Sequence, residues 1–216
     1  MSTNVASHRG AIVAIASACL LVSASCDSAL REGPASNWSS FEATDGSFSV
    51  LYPSNFEPYE YGSDELKEMV GESPGNVSIT IFANEDPGIG AGALSSLFGT
   101  QWAGTELRLG VVKIPSDGLM TARVFARVMR DDYRRTVGYR EIAFERVTLA
   151  NVKGLSHVFE TTGTMPSGAE ATQTARYVYL SDDASLFIIS AGALSDTYEA
   201  EEDVVDRFVS SFHLQP

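Results

Sequence analysis

Glu141–Leu149 (EIAFERVTL), Leu155–Thr164 (LSHVFETTGT), Ala171–Leu180 (ATQTARYVYL) and Leu186–Ala191 (LFIISA) follow one another with only short breaks. Val, Ile, Thr, Phe and Tyr dominate these stretches, the residue types that suit a pleated, half-buried surface. Asn151 to Gly154, Pro166-Ser167-Gly168 and Asp182-Asp183 supply turn chemistry between them. Connections this short leave no room for a crossover, so the four segments are predicted to be antiparallel neighbours in one sheet.

A helix is predicted on each side of this block. Before it, about Asp117 to Thr136, Met120, Val124 and Val128 together with Phe125, Met129 and Tyr133 recur at helical spacing, which predicts one apolar face. Arg123, Arg127, Arg130 and Asp131 fall largely on the other face; Ser116 is a suitable N-cap and Gly138 a suitable stop. After the block, about Asp196 to Phe212, Val205, Phe208, Val209 and Phe212 form a core stripe, with Ser195 as the expected cap. Asp196 and Glu199 sit where the helix dipole favours negative charge.

The amino-terminal half is less regular. Trp38–Thr44 and Phe48–Tyr52 read as strands joined at Asp45-Gly46, a strong hairpin signal. Pro53 ends the second, and Phe56, Pro58, Tyr59 and Tyr61 are expected in an aromatic-rich loop. Asp64–Val70 makes a short helix before the Gly71–Gly75 turn. Val77–Phe82 alternates Val and Ile with Ser and Thr, the period of two of a strand. A Gly-, Ala- and Ser-rich stretch from Pro87 to Gly104 precedes another strand-like run, Leu107–Ile114. There is no internal repeat. The order predicts an α+β protein: an α-β-α sandwich with a mostly antiparallel sheet and two main amphipathic helices.

The chain of 216 residues has a formal net charge of −13 and an apolar content of 44%. That suits one folded domain with a sizeable core. An overall surface this negative repels phosphate backbones and anionic headgroups, so nucleic acid is not an expected partner. The two cysteines are Cys19 and Cys26; from Asp27 onward there is none, which excludes a disulfide, a zinc–thiolate site or a cysteine nucleophile in the body of the protein.

Residues 1–10 are polar with Arg9 as the positive charge, and Ala11 to Val22 is continuously apolar or small. Ser23-Ala24-Ser25 then leads to Cys26. This is the order of an export signal. The apolar run covers roughly 20 Å as a helix, short of the ~30 Å of a hydrocarbon core. Val22-Ser23-Ala24-Ser25-Cys26 resembles a bacterial lipobox, with small residues directly before the cysteine and Ser23 where leucine is usual. The resemblance implies a signal peptide over 1–25, cleavage before Cys26 and lipid attachment to its thiol. The alternative is an ordinary signal peptide cut after Ala24 or Ser25, leaving a free thiol. In the enterobacterial sorting pattern, Asp27 reads as inner-membrane retention. Residues 26–36, with Gly33-Pro34 and no periodicity, read as a tether.

Asp45-Gly46-Ser47-Phe48-Ser49-Val50-Leu51-Tyr52-Pro53 resembles the opening of PsbP-like domains and the related DcrB-type envelope proteins, and Val209-Ser210-Ser211-Phe212 resembles their closing signature. The resemblance spans roughly 38–212 in element order, with Asp86 to Ile114 looking like an insertion. It implies an α-β-α sandwich and non-enzymatic accessory, assembly or binding roles. It carries no shared catalytic motif.

Chemical motifs are few. Gly71-Glu72-Ser73-Pro74-Gly75 matches the serine-hydrolase pattern G-x-S-x-G, but Pro74 lacks the N–H that an oxyanion hole needs there, and a strand follows rather than a helix. Gly88-Ile89-Gly90-Ala91-Gly92-Ala93 matches a dinucleotide loop only in letters, since five residues separate it from the strand and no βαβ unit surrounds it. His157 and His213 are the only histidines after the signal. His157, on a strand, has Glu145 or Glu160 as expected partners; His213 is expected in a frayed end. Glu199, Glu201, Glu202, Asp203 and Asp206 form an acidic run without the alternation of a calcium loop, so a solvated face is predicted.

Leu94, Leu97, Phe98 and Trp102 in the Gly-rich stretch are either a partner contact or a lid folded on the core. The reading is a non-enzymatic exported lipoprotein of the cell envelope. It would be membrane-anchored through Cys26, face the periplasm or exterior, and engage an envelope protein, with no cofactor, metal or catalytic set. The competing reading is an exported hydrolase using Ser73 with His157.

Overall fold

The computed structural model describes residues 37–70, 77–84, 106–116, 121–164 and 168–215, apart from the side chains of 67–70 and 164. Cys26, the tether, Ser73, and Leu94, Leu97, Phe98 and Trp102 lie outside the described residues. Asn37–Pro216 forms one compact unit.

The chain begins with β1 (Trp38–Glu42), β2 (Phe48–Pro53), β3 (Glu57–Tyr61), α1 (Ser63–Val70), β4 (Ser78–Ala83) and β5 (Arg108–Pro115). It continues with α2 (Ala122–Tyr133), β6 (Arg140–Leu149), β7 (Val152–Thr164), β8 (Glu170–Ser181) and β9 (Ser185–Leu194). It ends with α3 (Ser195–Ala200), α4 (Glu202–Ser210) and the two-residue β10 (His213–Leu214). Seven strands form one antiparallel sheet in the order β3-β4-β5-β9-β8-β7-β6, and β1, β2 and β10 form a smaller sheet. The four strands read from the sequence are β6 to β9, paired consecutively as expected.

Alternation along the strands sorts the large sheet into two buried faces. In β8, Val178 and Leu180 join a core with Phe48, Phe82, Phe187, Phe208 and Phe212, beneath the small sheet and α4. Ala175, Tyr177 and Tyr179 turn the other way, to a core with Leu66 of α1 and Ala122, Ala126 and Tyr133 of α2. The result is an α-β-α sandwich whose outer layer on the α4 side also carries three strands.

Several local expectations are corrected by pairing. The aromatic stretch at 57–61 is strand β3, because Tyr59 and Tyr61 pair opposite Ile81 and Ile79. Its Pro58 is tolerated because β3 ends the sheet. The part of the supposed insertion from Arg108 onward is β5, held between β4 and β9.

Helix α2 starts at Ala122, not after Ser116. Thr121 accepts from the Val124 N–H, while Ser116 donates its N–H to Ala184. The single apolar face expected of it divides into two stripes, and only the one with Phe125, Met129 and Tyr133 faces the sheet. Ala122, Ala126 and Tyr133 are buried with Phe125 and Met129 packed beside them, whereas Val124 and Val128 are 47% and 52% exposed. The alanines let the helix approach closely, and that choice leaves the valines outside.

The carboxy-terminal helix is two segments meeting at Glu201 (φ −110°, ψ 16°). Ser195 does not cap it: its hydroxyl accepts from Thr174 Oγ1. The β6–β7 turn is the two-residue Ala150-Asn151, both at positive φ (48° and 67°), as a tight hairpin demands. Gly154 lies inside β7 instead, where a Cβ would collide with the Tyr179 carbonyl and Leu180. Among the described residues no helix is long and apolar enough to cross a membrane.

Candidate functional site

The densest polar chemistry lies where the carboxy-terminal end of α2 meets β6 and β7. His157, in mid-β7, sits between Phe144 of β6 and Tyr177 of β8 in the ladder and is fully buried. Rings enclose it: Phe159 at 4.5 Å, Phe144 edge-on at 5.3 Å and Tyr133 at 6.1 Å between centroids.

Two backbone irregularities bring polar groups to it. Gly138 adopts φ +67° against Thr162, too close for any Cβ, and so turns the chain to deliver Tyr139. A bulge between Glu141 and Ala143 then puts Glu141 on the same face as Phe144, which strict alternation would forbid. Arg130 of α2 grips Glu141 with two nitrogens, at 2.6 and 2.5 Å, and stacks over Phe144 at 4.2 Å. The Tyr139 hydroxyl donates to Glu141 at 2.9 Å and lies 3.1 Å from His157 Nε2.

These contacts assign the protons. A carboxylate only accepts, so the single Tyr139 proton goes to Glu141, and the hydroxyl oxygen accepts from His157 Nε2–H. That leaves Nδ1 as the bare ring nitrogen, and it is buried without a partner. The titration directions agree. The Arg130 hydrogen bonds hold Glu141 down to about 2, and burial lowers His157 to about 4. Burial, then the hydrogen bond to Glu141, pushes Tyr139 up to about 12. At neutral pH the cluster is a neutral histidine and tyrosine on an ionised Arg–Glu pair. It clamps α2 to β6 and β7.

The expected partners of His157 are elsewhere. Glu145 and Glu160 fall on the opposite side of the strands by the period of two, and Arg140 binds Glu160 at 2.7 Å. His213 is not frayed: it pairs with Ser49 of β2, and its Nδ1 lies 2.7 Å from the Ser211 carbonyl. In the acidic run, Glu199, Glu201, Glu202 and Asp203 are exposed, while Asp206 pairs with Arg176. Among the described residues no group of three or more His, Cys, Asp or Glu is placed to hold a metal. The sequence does not single out Tyr139, Glu141 and Arg130 as site residues: Arg130 reads only as part of the helix's polar face, Glu141 only as the start of a strand, and the Gly138 helix stop points near them.

No family model and no curated protein matches the sequence. Solved structures do. The chain is similar to cyanobacterial PsbP (CyanoP) from Synechocystis sp. PCC 6803. That match has 16% identity and a TM-score of 0.48 and covers 87% of this chain and 98% of the other. LpqN, a protein involved in cell envelope biogenesis of Mycobacterium tuberculosis, matches at 11% identity and TM-score 0.40 over 85% of this chain and 82% of its own. The Ran-binding protein Mog1p of Saccharomyces cerevisiae matches at 11% identity and TM-score 0.43 over 83% and 96%. At these identities the likeness transfers no residue's role.

Proposed function

We propose that this chain is an exported, lipid-anchored accessory protein of the cell envelope, acting by binding or assembly rather than by catalysis. One observation carries the second half of that reading. A hydrolase built on Ser73 would need His157 as its base, and a base must come within about 2.6–3.2 Å of the proton it takes. His157 has no solvent exposure, is ringed by aromatic side chains and spends Nε2 on Tyr139. The first half rests on the apolar run at 11–22 and on Cys26 as the one cysteine left after the signal.

Two measurements test it. Mass analysis of the mature amino terminus is expected to find residue 26 first and carrying a diacylglyceryl group; an unmodified or uncleaved terminus overturns the anchoring. Assays of the purified protein on short-chain esters are expected to show no turnover that Ser73→Ala removes. A Ser73-dependent rate overturns the non-catalytic reading.

A further inference from the structure

The net charge conceals a reversal. Residues 121–164, which hold α2, β6 and β7, carry eight basic against five acidic side chains in a chain whose formal charge is −13. Four of the eight have carboxylate partners: Arg130 with Glu141, Arg134 with Asp131 and Glu141, Arg135 with Asp132, and Arg140 with Glu160. Those pairs engage four of the five acids, and the fifth, Glu145, is on the far side of the sheet by alternation. Arg123, Arg127, Arg146 and Lys153 are exposed and have no ion-pair partner among the described residues.

The four lie on one side. Arg146 shares a strand face with Phe144, over which Arg130 stacks, and Lys153 shares one with Leu155 and His157. Arg123, Arg127, Arg130 and Arg134 follow each other at three- and four-residue steps, one stripe along α2. The stripe's lower end meets β6 through Glu141. Its upper end is fixed by the Ala122 N–H donating to Ser181 at 3.1 Å. Ser181 lies two residues past Tyr179, which pairs with Leu155, and Leu155 pairs with Arg146. Arg123 and Arg127 therefore run beside the stretch of sheet that carries Arg146 and Lys153.

Among the described residues this ledge borders an open strand edge. β6 ends the seven-stranded order, and beyond its bulge residues 143–149 keep regular register with β7. Among the described residues no strand pairs with its outer side. A free edge offers backbone donors and acceptors to an incoming extended segment.

We infer that the α2–β6 side is a docking surface for an acidic, extended segment of a protein partner, added as an eighth strand along β6 with alternate carboxylates on Arg123, Arg127, Arg146 and Lys153. Charge complementarity selects the sign, and the open edge selects the extended form. A partner protein is favoured over a lipid surface because the chain enters the domain at β1, in the layer on the other face of the large sheet. The inference deepens the accessory reading and rests on it.

The test uses the purified full-length protein in detergent and two fluorescein-labelled octapeptides, alternating Glu-Val and alternating Lys-Val, titrated by anisotropy. The Glu-Val peptide is expected to bind, more weakly as salt is raised, and the Lys-Val peptide not to bind. Arg127→Glu and Arg146→Glu are each expected to weaken binding about tenfold, and the milder Arg127→Gln and Arg146→Gln to weaken it less. Hydrogen exchange is expected to slow at amides within 143–149 on binding.

Equal binding of both peptides, or indifference to all four substitutions in folded variants, overturns the proposal. So does protection confined to other strands. Arg127- and Arg146-dependent binding to phosphatidylglycerol vesicles, with no peptide binding, overturns it in favour of a lipid occupant. The mass and ester assays above fail or succeed independently of these outcomes, so the accessory reading and this surface can fall separately.

Discussion

The two faces of the seven-stranded sheet are built from the same strands and held by different physics. Toward α4 the interface is dry: Phe48 stacks on Phe212 at 5.5 Å, and Phe82 meets Phe208 edge-on at 5.4 Å. Toward α2, tyrosines and a histidine join Phe159 and Phe144, and an Arg–Glu pair pins the helix across the bulge in β6. Hydrophobic burial on the first face involves no acidic or histidine side chain and so depends little on pH in the acid range. The second face ties its stability to protonation states. The α4 side is therefore held by apolar packing, and the α2 side adds the pH response.

The largest expected effect breaks the dry face. Phe208→Ala removes a fully buried ring shared by α4 and β4 and should cost about 3–5 kcal/mol, read as a lowered urea midpoint with the slope unchanged.

The next concerns the wet face. Burial holds the folded His157 down to about 4, below the ordinary 6.5 of a histidine in water. Between these values the unfolded chain binds a proton that the folded one does not, so stability falls as pH drops from about 6.5 to 4. Glu141, at about 2 against 4.5, adds a further loss as pH falls from about 4.5 toward 2. The His157 contribution is about 3 kcal/mol between pH 7 and pH 4. Urea midpoints measured across that range should decline in the wild type, and His157→Phe should flatten the upper part of the decline while leaving the lower part. An unchanged slope in His157→Phe would mean that another group governs the acid response.

A smaller effect lies in the turn that starts β7. Ala150 holds φ 48°, where an L side chain is strained. Ala150→Gly should stabilise by about 0.5–1 kcal/mol, visible as a raised melting temperature. Smallest of all, Val128→Ser on the outer stripe of α2 should shift stability by no more than about 0.5 kcal/mol. A loss several times larger in the same melting assay would mean that the exposed valines are covered in solution.

Features set by near neighbours in the chain were legible beforehand. Asp45-Gly46 turns because Gly46 takes φ +68° without penalty, and β8 alternates because its sequence does. The stripe of Val205, Phe208, Val209 and Phe212 went to the core as its spacing requires. Where the outcome hung on a distant neighbour, the local reading went wrong. Helix α2 has two apolar stripes, and the flanking alanines decided between them only because a sheet lay within reach. The aromatic run at 57–61 became a strand because β4 offered it an edge.

The candidate site was the least legible part, because each of its contacts crosses elements. Glu145 and Glu160 were closer guesses along the chain than Glu141, yet a single bulged residue re-aimed Glu141 at His157 while the pleat sent the other two away. The same holds for the basic ledge. Arginines at 123, 127, 130 and 134 look alike in sequence, and pairing across β6 and within α2 neutralises some and leaves others bare. Sequence by itself determined the alternation, the hairpins and the absence of cysteine from Asp27 onward, since these depend on residues a few positions apart or on composition. Register and close packing decided which face each helix buries, how His157 is held neutral and where positive charge remains, because those outcomes depend on distances between segments far apart in the chain.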